Sequence, residues 1–349
     1  MRRISRITVA GAATASLALA LSACGGTSTS SGSSESKGDK GIAIAYDVGG
    51  RGDQSFNDAA YAGLKQAEKE FGYKTADVEP TDGETDADKE QRLGSLAKQG
   101  YDPVVGVGYA YATAVKAAAE KYPDTTFGIV DDSTVELDNV ADLVFSEEQA
   151  SYLAGVAAAE TTKTDVVGFI GGVDIPLIHK FRAGFEQGVK DTDPNVKVVS
   201  QFLTQTAEEG GFSSPDKGKA AAEGQIEKKA DVIYTAAGLS GQGAIEAAAA
   251  NKVWAIGVDS DQYAQEALAK YKGSILTSAT KDVAKSVYKL AQSVEDKAPR
   301  TGILRGDLAS GEVGLAQSNP VFADNAKLQD VIETAKKKII SGDIKVQSS

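Results

Sequence analysis

A pattern of alternation that runs once and then starts again constrains this chain more than any other feature. From Gly41 onward, short β-branched runs alternate with stretches of helical periodicity. Strands are expected at 42–46, 74–78, 103–107, 126–130 and 143–145, with helices at about 56–71, 86–99 and 110–121 between them. In the first helix Ala60, Leu64, Ala67 and Phe71 share a face, and Glu68, Lys69 and Glu70 lie off it. A long Ala-rich helix follows at 146–160, and at Val166 the series restarts. Strands are expected at 166–170, 197–203, 232–235 and 253–258, with helices at about 176–189, 215–229, 241–251 and 262–270. The Gly49-Gly50 turn before a helix containing Gly63 and Phe71 has its counterpart in Gly171-Gly172 before a helix containing Gly184 and Phe185. Alternating β and α elements build parallel sheets with helices on both faces. Two such series give an α/β protein of two doubly wound lobes. Open sheets of this kind bind ligands beyond the carboxyl ends of their strands, so a ligand cleft is expected between the lobes.

A further strand at 274–279 and a helix at 281–295 are assigned to the first lobe, on the expectation that the chain crosses back. With the boundary drawn approximately, inside that strand, the division is 41–145 plus about 278–310 for the first lobe and 146–277 for the second. Residues 311–349 form a C-terminal segment, with a helix at about 326–341, whose lobe is left open.

The opening residues have a different character. Arg2, Arg3 and Arg6 precede an uncharged, Ala- and Leu-rich stretch at 7–21, too short to be a stable membrane span. It ends in Leu21-Ser22-Ala23-Cys24-Gly25, which resembles the lipobox of bacterial lipoproteins, where the chain is cut before a cysteine that then carries lipid. Residues 1–23 are therefore expected to be a lipoprotein signal peptide and Cys24 the lipidated residue. Residues 24–40, rich in Ser, Gly and Thr, are expected to be a flexible tether. The alternative is a plain signal peptide with an accidental cysteine, but Cys24 is the one cysteine in the chain. These features predict a globular body on the extracytoplasmic face of the cell membrane, attached by lipid alone.

Composition removes several function classes. Acidic residues number 49 against 37 basic ones, a net charge of −12, which is the wrong sign for a nucleic-acid partner. One His and one Cys exclude a zinc cluster and a disulfide framework. A Ser-His-Asp triad would need His179, and no Gly-x-Ser-x-Gly elbow exists. The glycines of Gly106-Val107-Gly108 and 238–243 lack phosphate-loop spacing, and acidic residues 81–90 lack a calcium loop's glycine and closing glutamate at the required spacing. No enzyme, metal or cofactor is expected, and the chain is expected to be monomeric.

Two long motifs narrow the reading. Asp47-Val48-Gly49-Gly50-Arg51-Gly52-Asp53-Gln54-Ser55-Phe56-Asn57 resembles the opening motif of the basic membrane protein (Bmp) family. Gly168-Phe169-Ile170-Gly171-Gly172-Val173-Asp174-Ile175-Pro176-Leu177-Ile178, with Phe181-Arg182-Ala183-Gly184-Phe185, resembles the motif of that family's second lobe. Phe127-Gly128-Ile129-Val130-Asp131, Pro215-Asp216-Lys217-Gly218 and Gly257-Val258-Asp259 are shorter matches in the same order. The resemblance implies a type I periplasmic-binding-protein fold with two Rossmann-like lobes, acting as the solute-binding receptor of an ABC transporter. The best-understood members of the family bind purine nucleosides. In them an aromatic from each lobe sandwiches the base, at positions matching Phe56 and Phe212. The base edge is held at positions matching Asn57 and Asp131, and the ribose at positions matching Gly238, Asp259 and Lys281. Asp47, Asp53 and Ser55 of the opening motif are secondary ligand candidates. The implied partners are a nucleoside such as guanosine, inosine or adenosine and a membrane permease. A sugar or other small metabolite on the same fold is the alternative, and an exported nucleoside hydrolase lacks a visible acid–base set.

The residues carry part of this reading without the resemblance. Phe56-Asn57 opens a helix directly after a strand and a Gly-rich turn, with Ser55 or Asp53 available to cap it. Phe212 sits among Gly and Ser with few apolar neighbours in sequence, which favours a ligand-facing ring. Phe56 could instead be core and Asp131 a turn residue. Asp259 and Lys281, each at or just past the end of a strand, could form only a salt bridge between the lobes.

Overall fold

Ile42, Ala43, Ile44 and Ala45 are all fully buried, as expected of a parallel strand covered on both faces. They lie in β1 (Lys40–Ala45). Ile42 and Ile44 belong to one core cluster with Leu64, and Ala43 and Ala45 to another with Leu93 and Val115. This two-residue alternation sets one helix layer on each side of the sheet. The computed structural model describes residues 40–349; the expected signal peptide, Cys24 and residues 24–39 of the tether lie outside them.

The first series continues as α1 (Phe56–Phe71), β2 (Lys74–Val78), α2 (Asp86–Lys98), β3 (Val104–Gly106), α3 (Ala112–Lys121), β4 (Phe127–Val130) and β5 (Val140–Phe145). The second runs through α4 (Glu147–Thr161), β6 (Val166–Val173), α5 (Pro176–Thr192), β7 (Lys197–Thr204), α6 (Pro215–Glu227), β8 (Val232–Ala236), α7 (Ser240–Asn251), β9 (Trp254–Asp259) and β10 (Ile275–Lys281). After it come α8 (Val283–Glu295), β11 (Gly302–Gly306), β12 (Val313–Leu315), α9 (Pro320–Ala323) and α10 (Ala326–Ser341). One sheet has the order β11-β5-β4-β3-β1-β2 and the other β12-β10-β9-β8-β6-β7. Position by position the two orders correspond: β1 to β6, β3 to β8, β4 to β9 and β5 to β10. The repeat read from Val166 is thus a repeat of topology. All neighbours run parallel except β10 and β12.

One expectation is overturned. The strand at 274–279 was assigned to the first lobe, but β10 pairs with β9 in the second sheet, with Ser278 opposite Gly257 and Ala279 opposite Val258. The chain returns to the first lobe one element later, where α8 lies beside α1. Along that contact, an added Cβ at Gly63 would sit 2.4 Å from the Ala284 carbonyl oxygen. The chain then adds β11 to the first sheet and β12 to the second, so it passes between the sheets after β5, after β10 and after β11. Sequence periodicity marked β10 as a strand without specifying its partner, because its buried apolar residues suit either sheet.

The helix layers pack closely where side chains are smallest. At the α4–α5 contact an added Cβ on Gly188 would lie 2.1 Å from the Tyr152 carbonyl oxygen. That approach explains the Gly-rich pattern of α5 better than any demand for flexibility. Among the described residues no helix is long and apolar enough to cross a membrane.

Candidate functional site

The carboxyl ends of β1, β3 and β4 face those of β8, β9 and β10 across a small cavity of about 60 Å³, placed where open α/β sheets bind their ligands. Four of the chain turns into it are left-handed. Gly108 follows β3 with φ +98°, Asp131 follows β4 with φ +67°, Gly238 follows β8 with φ +53° and Asp259 ends β9 with φ +61°. Asp131 and Asp259 occupy equivalent positions in the two sheets, and aspartate is among the few non-glycine residues that tolerate this conformation. The strained turns aim both carboxylates inward instead of along the strands.

Lys281, at the end of β10, lies between them. Its Nζ donates to Asp131 Oδ2, is 3.6 Å from Asp259 Oδ1 and is 4.0 Å from Glu147 Oε1. Its side chain is 4% exposed, and Nζ stands 4.7 Å from the Phe56 ring centroid and 5.5 Å from that of Phe181. Burial works against the ammonium, but Asp131, Asp259 and Glu147 together outweigh it and hold Lys281 protonated above its ordinary range. The salt bridge that joins the two sheets is therefore Asp131–Lys281. Asp259 and Lys281, which the sequence reading paired across the lobes, sit on neighbouring strands of one sheet.

Asp131 has one committed oxygen and one free. Its Oδ2 meets Lys281, and its Oδ1 is buried with no hydrogen-bond partner. An unsatisfied buried acceptor costs about 1–3 kcal/mol, so this atom is poised to accept from a ligand N–H or O–H.

Asn57 and Asp53 form the floor on the first-lobe side. Asn57 Oδ1 accepts from the Asp47 amide at 3.1 Å and its Nδ2 donates to Asp53 Oδ2 at 3.3 Å, leaving one amide hydrogen and one lone pair. Asp53, and not the N-cap residue Ser55, satisfies the start of α1: its oxygens accept from the amides of Ser55, Asn57 and Asp58 at 3.0, 2.8 and 3.1 Å. Burial pushes the Asp47 and Asp53 carboxyls up to about 6 and that of Glu147 up to about 7.

Phe56 and Phe212, one from each lobe, both line the cavity and are half-buried. Phe212 rests on Gly172, where an added Cβ would come within 2.4 Å of its ring, so the glycine is what admits the aromatic. Nine of the ten sequence candidates meet here: Asp47, Asp53, Phe56, Asn57, Asp131, Phe212, Gly238, Asp259 and Lys281. Ser55 does not line the cavity; its hydroxyl donates to Asp259 Oδ2 at 2.7 Å.

Sequence reasoning missed Tyr109, Phe181 and Glu147. Tyr109 follows the β3 strand end, so the strand-end rule applied to β3 would have found it. Phe181 lies one helical turn after Leu177 on α5, and both line the cavity. Glu147, 1% exposed, reads in sequence as an ordinary acidic first-turn residue of a helix.

A family model described as "ABC transporter substrate-binding protein PnrA-like" matches residues 42–349. The chain is 34% identical over 329 residues to a Lactococcus lactis protein named "ABC transporter nucleoside-binding protein BmpA", covering 89% of this chain and 90% of that protein. It is 34% identical over 305 residues to an uncharacterized lipoprotein of Pyrococcus horikoshii, covering 82% of this chain and 71% of that one. Its fold is similar to a crystal structure of an ABC transporter solute-binding protein from Aeropyrum pernix, with a TM-score of 0.76, 27% identity, and coverage of 89% of this chain and 94% of that chain.

Proposed function

Since the chain belongs to the Bmp family of ABC transporter substrate-binding proteins, which are binding proteins of the type I fold and not enzymes, we propose that it captures a purine nucleoside between its lobes and presents it to a permease. The observation that carries the choice of ligand is the free Asp131 Oδ1, a buried acceptor on the wall of a cavity that also holds Phe56 and Phe212. Two aromatic faces suit a flat base, and a lone acceptor suits a ring N–H. Asn57 adds one donor and one acceptor, the remaining complement of a purine edge. Asp259 and Lys281 supply acceptor and donor for ribose hydroxyls.

Charge defines the class further. Asp47, Asp53, Asp131 and Asp259 line the cavity against one ammonium, Lys281, which is already paired. A phosphate would meet uncompensated carboxylates, so the ligand is an unphosphorylated nucleoside. Lipid on Cys24 would hold the receptor at the extracytoplasmic face of the membrane, a reading supported by the Leu21–Cys24 motif.

Asp131→Asn tests the assignment. The amide can rotate to donate where the carboxylate accepted, so guanosine and inosine, which present a ring N–H, should weaken about 5- to 150-fold. Adenosine, which has an acceptor there, should change less. Equal weakening of all three by calorimetry would remove Asp131 from base recognition.

A further inference from the structure

Ser55 was a ligand candidate, yet it turns away from the cavity and toward the second lobe. The first-lobe loop 52–55 makes five hydrogen bonds to the second lobe, and each bond joins a different pair of residues. Gln242 Nε2 on α7 donates to the Gly52 carbonyl at 2.8 Å. Gln262 Nε2 donates to the Gln54 carbonyl at 3.2 Å, and Ser260 Oγ to the Ser55 carbonyl at 2.7 Å. Ser55 Oγ returns a bond shared between Asp259 Oδ2 at 2.7 Å and the Val258 carbonyl at 3.3 Å. Gln54 holds a left-handed φ of +54°, strained for a residue of its type. Asp53 fixes the same loop from within through its three amide bonds.

We propose that this loop is the closing latch of the receptor, with Ser55 as a positioning residue that acts on the ligand through Asp259. The loop and its five partner residues belong to different lobes, connected by three chain crossings, so the bonds exist only when the lobes are together. Of the five side chains that make them, Gln242, Ser260, Gln262 and Ser55 do not line the cavity, and Asp259 alone does. Their contribution therefore falls on the closed state and not on first contact with the ligand. The loop also continues directly into Phe56 and Asn57. One rigid stretch thus makes both the ligand wall and the clasp, and a nucleoside touching Phe56 and Asp259 finds them registered by Ser55. This assignment rests on the nucleoside reading for its ligand, but the latch itself is a property of the two lobes.

Gln242→Ala and Ser260→Ala test it, since each removes one cross-lobe bond without touching the cavity. Stopped-flow binding of guanosine to the ligand-stripped full chain should show dissociation about 2- to 10-fold faster in each variant, compounding in the double variant, with association rates unchanged within about twofold. Ser55→Ala should exceed either, at about 10-fold or more, because its partner is charged. A residue that only supports the fold would not split the two rates in this way. Small-angle X-ray scattering of the same proteins without nucleoside should show a larger radius of gyration in the double variant. Failure of the unaltered protein to bind guanosine would overturn the nucleoside reading and leave scattering to decide the latch. Unchanged off-rates together with unchanged scattering, or off-rates that move only with a lowered melting temperature, would overturn the latch.

Discussion

Replacing Lys281 by Met is the most informative single perturbation of the fold at the site. It keeps an unbranched stem of similar size in a position 4% exposed and deletes the ammonium facing Asp131, Asp259 at 3.6 Å and Glu147 at 4.0 Å. Removing one partner of a buried ion pair costs about 3–5 kcal/mol, because the partner's charge is left buried and uncompensated. Here three carboxylates lose a shared counter-ion, so at pH 7.5 the deficit belongs at the upper end of that range. Acidification should narrow it. Without the ammonium, burial and mutual repulsion raise a carboxyl's folded pKa above its unfolded value of about 4. Stability carried by such a proton is present at low pH and lost as pH rises through the folded value. In the unaltered protein Lys281 stays protonated throughout this window. One extra proton bound over two pH units is worth about 2.7 kcal/mol, so the deficit at pH 5.5 should be smaller by about 2–3 kcal/mol. Urea unfolding of both proteins at the two pH values measures this. A deficit below about 1 kcal/mol, or one that does not change with pH, would refute a buried, unscreened cluster.

Two further outcomes concern the ligand and the anchor. Phe56→Ala and Phe212→Ala should each weaken nucleoside binding by about 5- to 150-fold, the loss of one base–aromatic stack, with the circular dichroism spectrum retained; unchanged calorimetric affinity in either would remove that ring from the site. Cys24→Ala should release the protein from washed membranes, as an immunoblot of membrane and soluble fractions would show.

Much of this site could be read from the sequence because it is made of strand ends. Apolar runs followed by Gly-Gly, Asp or Gly mark where a parallel strand stops, and the topology of two facing sheets brings those stops together. The resemblance to the Bmp motifs named the site residues, and Asp131, Gly238 and Asp259 also stand at such strand ends. Readings that depended on which strand neighbours which did less well. The residues of β10 satisfy either sheet, and its place in the second sheet puts Lys281 beside Asp259 on the same sheet and opposite Asp131. Glu147 was hidden for a related reason: whether an acidic residue at a helix start faces water or a neighbouring lobe depends on tertiary packing alone. Ser55 was read as a cap or a ligand contact, and its partner Asp259 lies 204 residues away.

The central claim is that a purine base occupies the cavity, and a calorimetric competition series on the ligand-stripped full chain tests it most directly. Guanosine, inosine, adenosine, cytidine, uridine and free ribose would be compared under one buffer and salt condition. Stacking alone discriminates poorly among bases, so the polar edge must do so, at about 1–3 kcal/mol for each buried group left unpaired. The account predicts that the three purine nucleosides bind about tenfold or more tightly than the pyrimidine nucleosides, with guanosine and inosine ahead of adenosine and free ribose far behind. Equal binding of purines and pyrimidines, or tight binding of the free sugar with none of any nucleoside, would contradict it.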